Sequence, residues 1–243
     1  MFITRFNLSY CMLRSVFVDL GETLVGFRPR TFELISSVLK DYGYSFNPLQ
    51  IYRIMMRVMG KYNYPDEQGS NPFDVEEFMY ELGIVSKDIM KEVKERVKYG
   101  DSHFVYDDAI PFLEAVRSMG LTTVLVSNAT PRAREIVKEY GLDKYLDSLI
   151  FSCDVGLIKP NPRIFSLAMK IGGFPAVHVG DIYEMDVIGA KRAFVTPLLL
   201  DRFGLYPDVK EVKKVSNLND ALKEIQKMVE IEEIQEIKTM QPV

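Results

Sequence analysis

Six side chains suited to chemistry follow four short apolar segments of this 243-residue chain. A carboxylate can act as a nucleophile, and a hydroxyl or backbone N–H at a strand-to-helix turn can bind phosphate oxygens. A lysine can neutralise a carboxylate or a transferring phosphoryl group. The residues, in chain order, are Asp19, Ser127, Asn128, Lys159, Asp181 and Asp186. Each alone has a plainer interpretation as a turn, capping or surface residue, so they indicate chemistry only if the fold brings them together.

The elements that would position these residues alternate between short apolar runs and helical patterns. The runs lie at 15–19, 122–127, 148–152, 176–181 and 196–200, and helical patterns lie at 108–119, 131–140, 161–171 and 184–194. Continuous apolar runs are typical of parallel strands covered on both faces. The sequence therefore predicts a doubly wound α/β fold with a parallel sheet, which binds ligands beyond the carboxyl ends of its strands. Asp19, Ser127 and Asp181 each lie at such an end.

The stretch between the first two of these strands has helical patterns and almost no strand signal. The patterns lie at 31–42, 48–61, 73–82 and 86–99. We predict an α/β core of residues 12–29 and 107–230, with residues 30–106 as an inserted helical cap over the site. Residues 1–11 and 231–243 are predicted to be terminal extensions, the second following a helix at 219–229.

The composition narrows the classes of partner and the compartment. There are 30 Lys and Arg against 34 Asp and Glu, so the net charge of −4 gives no reason to expect nucleic acid or an anionic membrane as a partner. Cys11 and Cys153 form no metal or disulfide motif, which favours a reducing, cytoplasmic compartment. No segment is apolar for long enough to span a bilayer. We expect a small-molecule substrate, and both a monomer and a homodimer stay open.

The four segments, in this order, resemble the motifs of the haloacid dehalogenase superfamily of hydrolases. The likeness covers residues 14–200 and is most specific in the segments around Lys159 and Asp181. It implies a Rossmann-like core with a helical cap inserted between the first and second motifs. It also implies that Asp19 is the nucleophile of a covalent aspartyl intermediate. Ser127, Asn128 and Lys159 would then bind the phosphoryl group, and Lys159 would also keep Asp19 ionised.

The resemblance further implies a Mg²⁺ site. Its ligands would be Asp19, the backbone carbonyl of Gly21 and Asp181, with Asp186 bound directly or through water. Acids that face one another repel each other and an incoming phosphate dianion, and a hard divalent cation resolves that conflict. The second interpretation of Asp181 and Asp186 is a helix N-terminus that carries acidic residues.

The first motif departs from the family pattern, which is usually Asp-x-Asp-x-Thr, because Gly21 stands at the second aspartate. In family phosphatases that aspartate protonates the leaving oxygen and then activates water, and such a general acid/base contributes ~10²–10⁴ in rate. Neighbouring side chains diverge in a tight turn, so we do not expect Glu22 to replace it. We therefore expect a preference for substrates with good leaving groups and slow breakdown of the aspartyl intermediate.

Three functions fit these residues. The first is a Mg²⁺-dependent phosphatase acting on a small phosphorylated metabolite. The second is a 2-haloacid dehalogenase or a phosphonatase, the latter needing a cap lysine such as Lys61 as a Schiff base, although a solvated helix lysine is the favoured interpretation. The third is a phosphate-binding module that has lost turnover. We expect His178 to be a core residue and His103 to lie on the surface of the cap or linker.

Overall fold

The structure, a computed structural model, describes residues 12–61, 73–97 and 102–240, with side chains described to residue 230. The predicted extensions at 1–11 and 231–243 therefore lie outside the described side chains, and only the backbone of 231–240 is described. The strands are β1 (Ser15–Val18), β2 (Val25–Arg28), β3 (Ser102–Val105), β4 (Thr122–Ser127), β5 (Ser148–Phe151), β6 (Ala176–Gly180), β7 (Thr196–Leu200) and β8 (Lys213–Val215).

The helices are α1 (Thr31–Asp41), α2 (Pro48–Met59), α3 (Val75–Glu81), α4 (Lys87–Arg96), α5 (Ala109–Ser118), α6 (Arg132–Glu139), α7 (Ser152–Val155), α8 (Pro162–Gly172), α9 (Ile188–Arg192) and α10 (Leu218–Met240). Asn-Pro pairs begin two of them, since the side chains of Asn47 and Asn161 each accept a backbone N–H in the first turn of α2 and α8. Within the described residues, every helix is too short or too polar to cross a bilayer.

The central sheet is parallel, with strand order β5-β4-β1-β6-β7-β8. The predicted doubly wound α/β fold is confirmed, and the five predicted strands are all present, whereas β8 was not predicted. Strand β1 lies between β4 and β6, with Val18 opposite both Leu125 and Val179. The carboxyl ends of the three strands that precede Asp19, Asn128 and Asp181 are therefore neighbours.

Both faces of the sheet are covered, as the continuous apolar runs predict. Val16 and Val18 of β1 belong to one buried cluster, and Phe17 between them belongs to another on the opposite face. Successive side chains of a strand point to opposite faces, so an apolar residue at every position requires a core on each side.

The stretch between β1 and β4 contains two strands where almost no strand signal was expected. Strands β2 and β3 pair antiparallel, with Val25 opposite Val105, so the segment predicted as a helical insert also contains a strand. Both strands are four residues long and are separated in sequence by helices α1 to α4, which leaves little local pattern. A Cβ at Gly26 would lie 2.4 Å from a ring carbon of Phe104, so a larger residue there would displace this ring.

Helices α1 to α4 pack around an apolar cluster that also reaches the sheet. The cluster includes Ile35, Ile51 and Phe78 from the insert and Met185 and Leu199 from the remainder of the chain. The insert is thus packed against the loop that follows β6, which is the segment that carries Asp181 and Asp186.

That loop is not the single helix that the pattern at 184–194 predicts. It forms a π-helical turn at Tyr183–Val187 and then the short helix α9. The N–H of Ile182 donates to the Asp186 carboxylate at 2.9 Å, which holds this wide turn. Such turns often occur at functional sites.

Candidate active site

Three of the predicted site residues come together because each lies at the carboxyl end of one of three neighbouring strands. Asp19 directly follows β1, and its N–H donates to the carbonyl of Val179 at 3.0 Å. Asp181 directly follows β6, and Ser127 is the last residue of β4. All three side chains are buried.

Lys159 joins two of the carboxylates. Its Nζ lies 2.7 Å from Oδ1 of Asp19 and 2.6 Å from Oδ1 of Asp186. The lysine is 2 % exposed, so this ion pair is shielded from water. Burial lowers the pKa of Lys159, but Asp186 and Asp19 raise it by more, so the pKa lies above its ordinary value and the ammonium group keeps its proton.

Asn128 holds the backbone that carries Lys159. Its Oδ1 accepts the Lys159 N–H at 2.7 Å, and its Nδ2 donates to the Lys159 carbonyl at 2.9 Å. This paired contact fixes the loop beside the end of β4. The side-chain amide predicted to bind phosphate is thus engaged in positioning the lysine.

Asp186 is the most strongly held carboxylate of the group. In addition to Lys159, it accepts from Ile182 N–H, and its Oδ1 lies 2.8 Å from Nε2 of His178. Burial raises the pKa of Asp186, but Lys159 and His178 lower it further, so the pKa lies below its ordinary value.

His178 is fully buried in β6, as its expected place in the core requires, and its ring packs edge-on against Phe165. Its contact with Asp186 makes it a neighbour of the site, which sequence reasoning missed. The sequence signal that could have indicated this contact is a polar residue inside an otherwise apolar strand. Nδ1 of His178 has no hydrogen-bond partner.

Asp181 receives hydrogen bonds from outside its own strand. Tyr52 of α2 donates to Oδ2 at 2.9 Å, and Thr23 donates to Oδ1 at 3.4 Å. Burial raises the pKa of Asp181 well above its ordinary value, and the charges of Asp19 and Asp186 raise it further. Tyr52 was also missed, because in the sequence it is one of many aromatic residues of the insert.

The three carboxylates form a compact set of oxygen donors. One oxygen from each of Asp19, Asp181 and Asp186 lies within 4.8 Å of the others. Burial also raises the pKa of Asp19, although Lys159 opposes that effect. Lys159 contacts two of these three acids, so a further positive charge would relieve the repulsion among them. Buried, hard oxygen donors suit Mg²⁺ or Ca²⁺ better than a soft metal.

Glu22 does not replace the aspartate that the family pattern has at position 21. Its carboxylate accepts from Tyr106 and from the N–H of Phe27, and it pairs with Arg30 at 3.6 Å. Burial and Glu22 raise the pKa of Tyr106 to about 12. Both oxygens of Glu22 are therefore occupied in joining the turn after β1 to the two ends of the insert.

Two further residues considered in the sequence lie apart from the acidic cluster. Lys61 is half-exposed and pairs with Glu77 and Glu81 on the insert, and its hydrogen bond to Glu77 raises its pKa. A Schiff-base lysine needs the opposite shift, so the solvated interpretation is favoured. His103 was expected at the surface, but its side chain is only 12 % exposed, because it packs on Tyr140.

Replacing Lys159 with methionine is expected to lower the free energy of unfolding by about 3–5 kcal/mol, because it leaves buried carboxylates without their cation. Urea denaturation in EDTA measures the loss. Lys138→Met, at an exposed lysine, serves as the control and should change stability by no more than about 0.5 kcal/mol. Equal losses in the two variants would contradict the charge balance described above.

Asp181 is expected to make metal-free stability depend on pH in a defined direction. Its folded-state pKa lies above the unfolded value of about 3.9, so its stabilising effect is complete below that pH. The effect is lost as pH rises through the raised folded-state pKa. Relative to Asp181→Asn, the wild type should therefore lose stability between pH 4 and neutrality, by at most about 1.4 kcal/mol per pH unit. Urea denaturation in EDTA over this range measures it, and a constant difference would contradict the raised pKa.

The fold agrees with comparisons to known proteins. The model of the haloacid dehalogenase-like hydrolase family matches residues 13–193. A phosphoserine phosphatase of Thermus thermophilus is 34% identical over 136 residues, which are 54% of this chain and 52% of that protein. A glyceraldehyde 3-phosphate phosphatase of Methanopyrus kandleri is 30% identical over 147 residues, 53% of this chain and 63% of that protein. The chain thus spans between half and two thirds of these relatives.

A solved structure extends the likeness over most of the fold. The crystal structure of a haloacid dehalogenase-type phosphatase from Thermococcus onnurineus is 24% identical, with a TM-score of 0.56, and the match covers 88% of this chain and 98% of that one. At this level of identity the likeness is one of fold. Because the family model spans most of the chain, including every predicted site residue, the chain belongs to the haloacid dehalogenase-like hydrolases.

Proposed function

We propose that this hydrolase is a Mg²⁺-dependent phosphatase that acts on a small phosphorylated metabolite through an aspartyl-phosphate at Asp19. The observation that carries the proposal is the contact of Lys159 Nζ with both Asp19 and Asp186, in a buried cluster to which Asp181 contributes a third carboxylate. The phosphatases among its relatives support the same reaction class.

The acidic cluster suits a divalent cation. Asp19, Asp181 and the Gly21 carbonyl would hold Mg²⁺, with Asp186 as a direct or water-mediated ligand. The raised pKa of Asp181 reflects a repulsion that a cation would remove. Bound there, the ion would neutralise phosphate charge and act as a Lewis acid.

In the first step, a carboxylate oxygen of Asp19 attacks phosphorus, and the bond from phosphorus to the leaving oxygen breaks. The contact with Lys159 keeps Asp19 ionised and supplies positive charge beside the transferring group. Ser127, at the end of β4, would donate to an equatorial oxygen of the phosphoryl group. Asn128 contributes by fixing Lys159.

In the second step, water attacks phosphorus of the aspartyl-phosphate and releases phosphate, which restores Asp19. Gly21 has no side chain to protonate the leaving oxygen or to deprotonate this water. Both steps then depend on the intrinsic reactivity of the substrate and of water. We expect acyl and aryl phosphates to react faster than alkyl phosphates.

Helices α1 to α4 would serve as a cap over this chemistry, with the domain boundaries predicted from the sequence. Asp19, Asp181, Asp186 and Lys159 are each at most 5 % exposed, so a substrate reaches them only if the packing above them opens. Exclusion of water around the closed site would strengthen each charge interaction.

The other candidate reactions fit less well. A haloacid carries a carboxylate, which three acids and one lysine would repel. A phosphonatase needs a neutral lysine near Asp19, and Lys61 is half-exposed and ion-paired with glutamates. A binding module without turnover is the alternative that Gly21 favours, and an activity assay distinguishes it.

The proposal predicts that phosphate release from an aryl phosphate depends on Mg²⁺ and stops in EDTA. Asp181→Asn should raise the Mg²⁺ concentration for half-maximal rate by roughly tenfold or more, because it removes a charged ligand. Asp143→Asn, at an exposed aspartate, is the matched control and should behave as wild type. Metal-independent turnover, or equal Mg²⁺ dependence in both variants, would contradict the site.

A further inference from the structure

Tyr52 is the described residue of the insert whose side chain donates a hydrogen bond to the acidic cluster. It is buried, its hydroxyl lies 2.9 Å from Asp181 Oδ2, and its ring lies 4.9 Å from that of Phe32. In this contact the hydroxyl is the donor and the carboxylate the acceptor. The insert therefore presents an uncharged donor and an aromatic surface to the site.

The positive charges of the insert are used elsewhere. In α2, Arg53 donates to the Leu205 carbonyl, and Arg57 pairs with Glu81. At the start of the insert, Arg30 pairs with Glu22 and Glu33. Among the other described lysines and arginines of the insert, Lys61, Lys91, Lys94 and Arg96 each pair with acids of the insert itself.

The two insert lysines without such a pair are exposed at helix ends. Lys40 ends α1 and Lys87 begins α4. Lys40 is eight residues beyond Phe32, or about 12 Å along a helix. Within the described residues, the insert thus has no cation placed to bind an anionic group of a substrate beside Tyr52.

The core cations described near the cluster are also engaged, since Arg202 pairs with Asp108 and donates to the Thr23 carbonyl. Lys159 is already shared by Asp19 and Asp186. Three carboxylates and one lysine leave two negative charges, which one Mg²⁺ would balance before the phosphate dianion enters. A second anionic group on the substrate would meet carboxylates and a tyrosine hydroxyl, and like charges without a partner oppose binding.

Resting on the proposed function, we infer that the leaving group of the substrate is uncharged and bears hydroxyl or carbonyl oxygens, and that the Tyr52 hydroxyl exchanges its bond to Asp181 for one to such an oxygen. Phosphorylated sugars, polyols and aldehydes belong to this class. Phosphorylated carboxylic acids and amino acids do not.

A matched pair of substrates tests the charge preference. Glycerol 3-phosphate and 3-phosphoglycerate share a three-carbon skeleton and differ in a hydroxymethyl group against a carboxylate. At saturating Mg²⁺ we expect kcat/KM to be at least roughly tenfold higher for glycerol 3-phosphate. An equal or higher value for 3-phosphoglycerate would overturn the inference.

Tyr52→Phe tests the contact itself. Loss of one hydrogen bond should lower kcat/KM for glycerol 3-phosphate by roughly tenfold, with a smaller effect on phenyl phosphate, whose leaving group has no second oxygen. Tyr80→Phe, on the exposed surface of α3, is the control. An equal loss for the two substrates would mean that Tyr52 acts only through Asp181 and would overturn its assigned role.

If phenyl phosphate is not hydrolysed by the wild type, the proposed function fails. Calorimetric titration of the wild type in Mg²⁺ with the same three-carbon pair then decides the inference by binding alone, with tighter binding of glycerol 3-phosphate expected. Tighter binding of 3-phosphoglycerate would overturn it.

Discussion

Replacing Gly21 with aspartate is expected to raise the hydrolysis rate of an alkyl phosphate by ~10²–10⁴, the usual contribution of a general acid/base. The new carboxyl group would stand two residues after Asp19, where it can protonate a leaving oxygen and later deprotonate water. The site has room for it. A Cβ at Gly21 would lie 3.7 Å from a ring carbon of Phe27, and the Gly21 backbone is outside the region that demands glycine.

The comparison that isolates proton transfer is Gly21→Asp beside Gly21→Asn. Asparagine has the same size but is no general acid, so it should give no gain. The gain in the aspartate variant should also be larger for alkyl than for aryl phosphates, because a poor leaving group benefits more from protonation. Equal rates in the two variants would show that the missing acid does not limit this enzyme.

Replacing Asp19 with asparagine is expected to reduce aryl phosphate hydrolysis by roughly 10³-fold or more, as the removal of a nucleophile does. The amide retains an oxygen that can accept from Lys159, so the packing around it should survive. Phosphate release at saturating Mg²⁺ measures the loss, with circular dichroism to verify the fold. Residual activity close to that of wild type would contradict a nucleophilic role for Asp19.

The strands of the core were predictable because their burial on both faces produces a recognisable apolar pattern in the local sequence. The apolar runs around Phe17 and Val124 contain no alternation, and only a sheet covered on both faces requires that pattern. The ribbon of β2 and β3 produces no such pattern. Its strands are short, and Gly26 is explained by Phe104, a residue 78 positions away that only the fold brings into contact.

The carboxylates and lysine of the site were predictable as candidates because each stands in a recognisable local motif. Contacts that depend on tertiary packing were not. Tyr52 lies 129 residues from Asp181 in sequence and looks like any apolar position of an amphipathic helix. His178 was expected only as a core residue, since burial in a strand does not reveal which polar group the ring reaches.

A covalent phosphoryl group on Asp19 can be detected by the intact mass of the protein after acid quench. Wild type mixed with an aryl phosphate and Mg²⁺ should gain the mass of one phosphoryl group during turnover. The reason is that the lack of an acidic side chain at position 21 slows hydrolysis of the aspartyl-phosphate. Asp19→Asn should show no adduct, and Gly21→Asp should show less than wild type. Turnover by the wild type without any adduct at the earliest quench times, or an adduct that persists in Asp19→Asn, would contradict the mechanism.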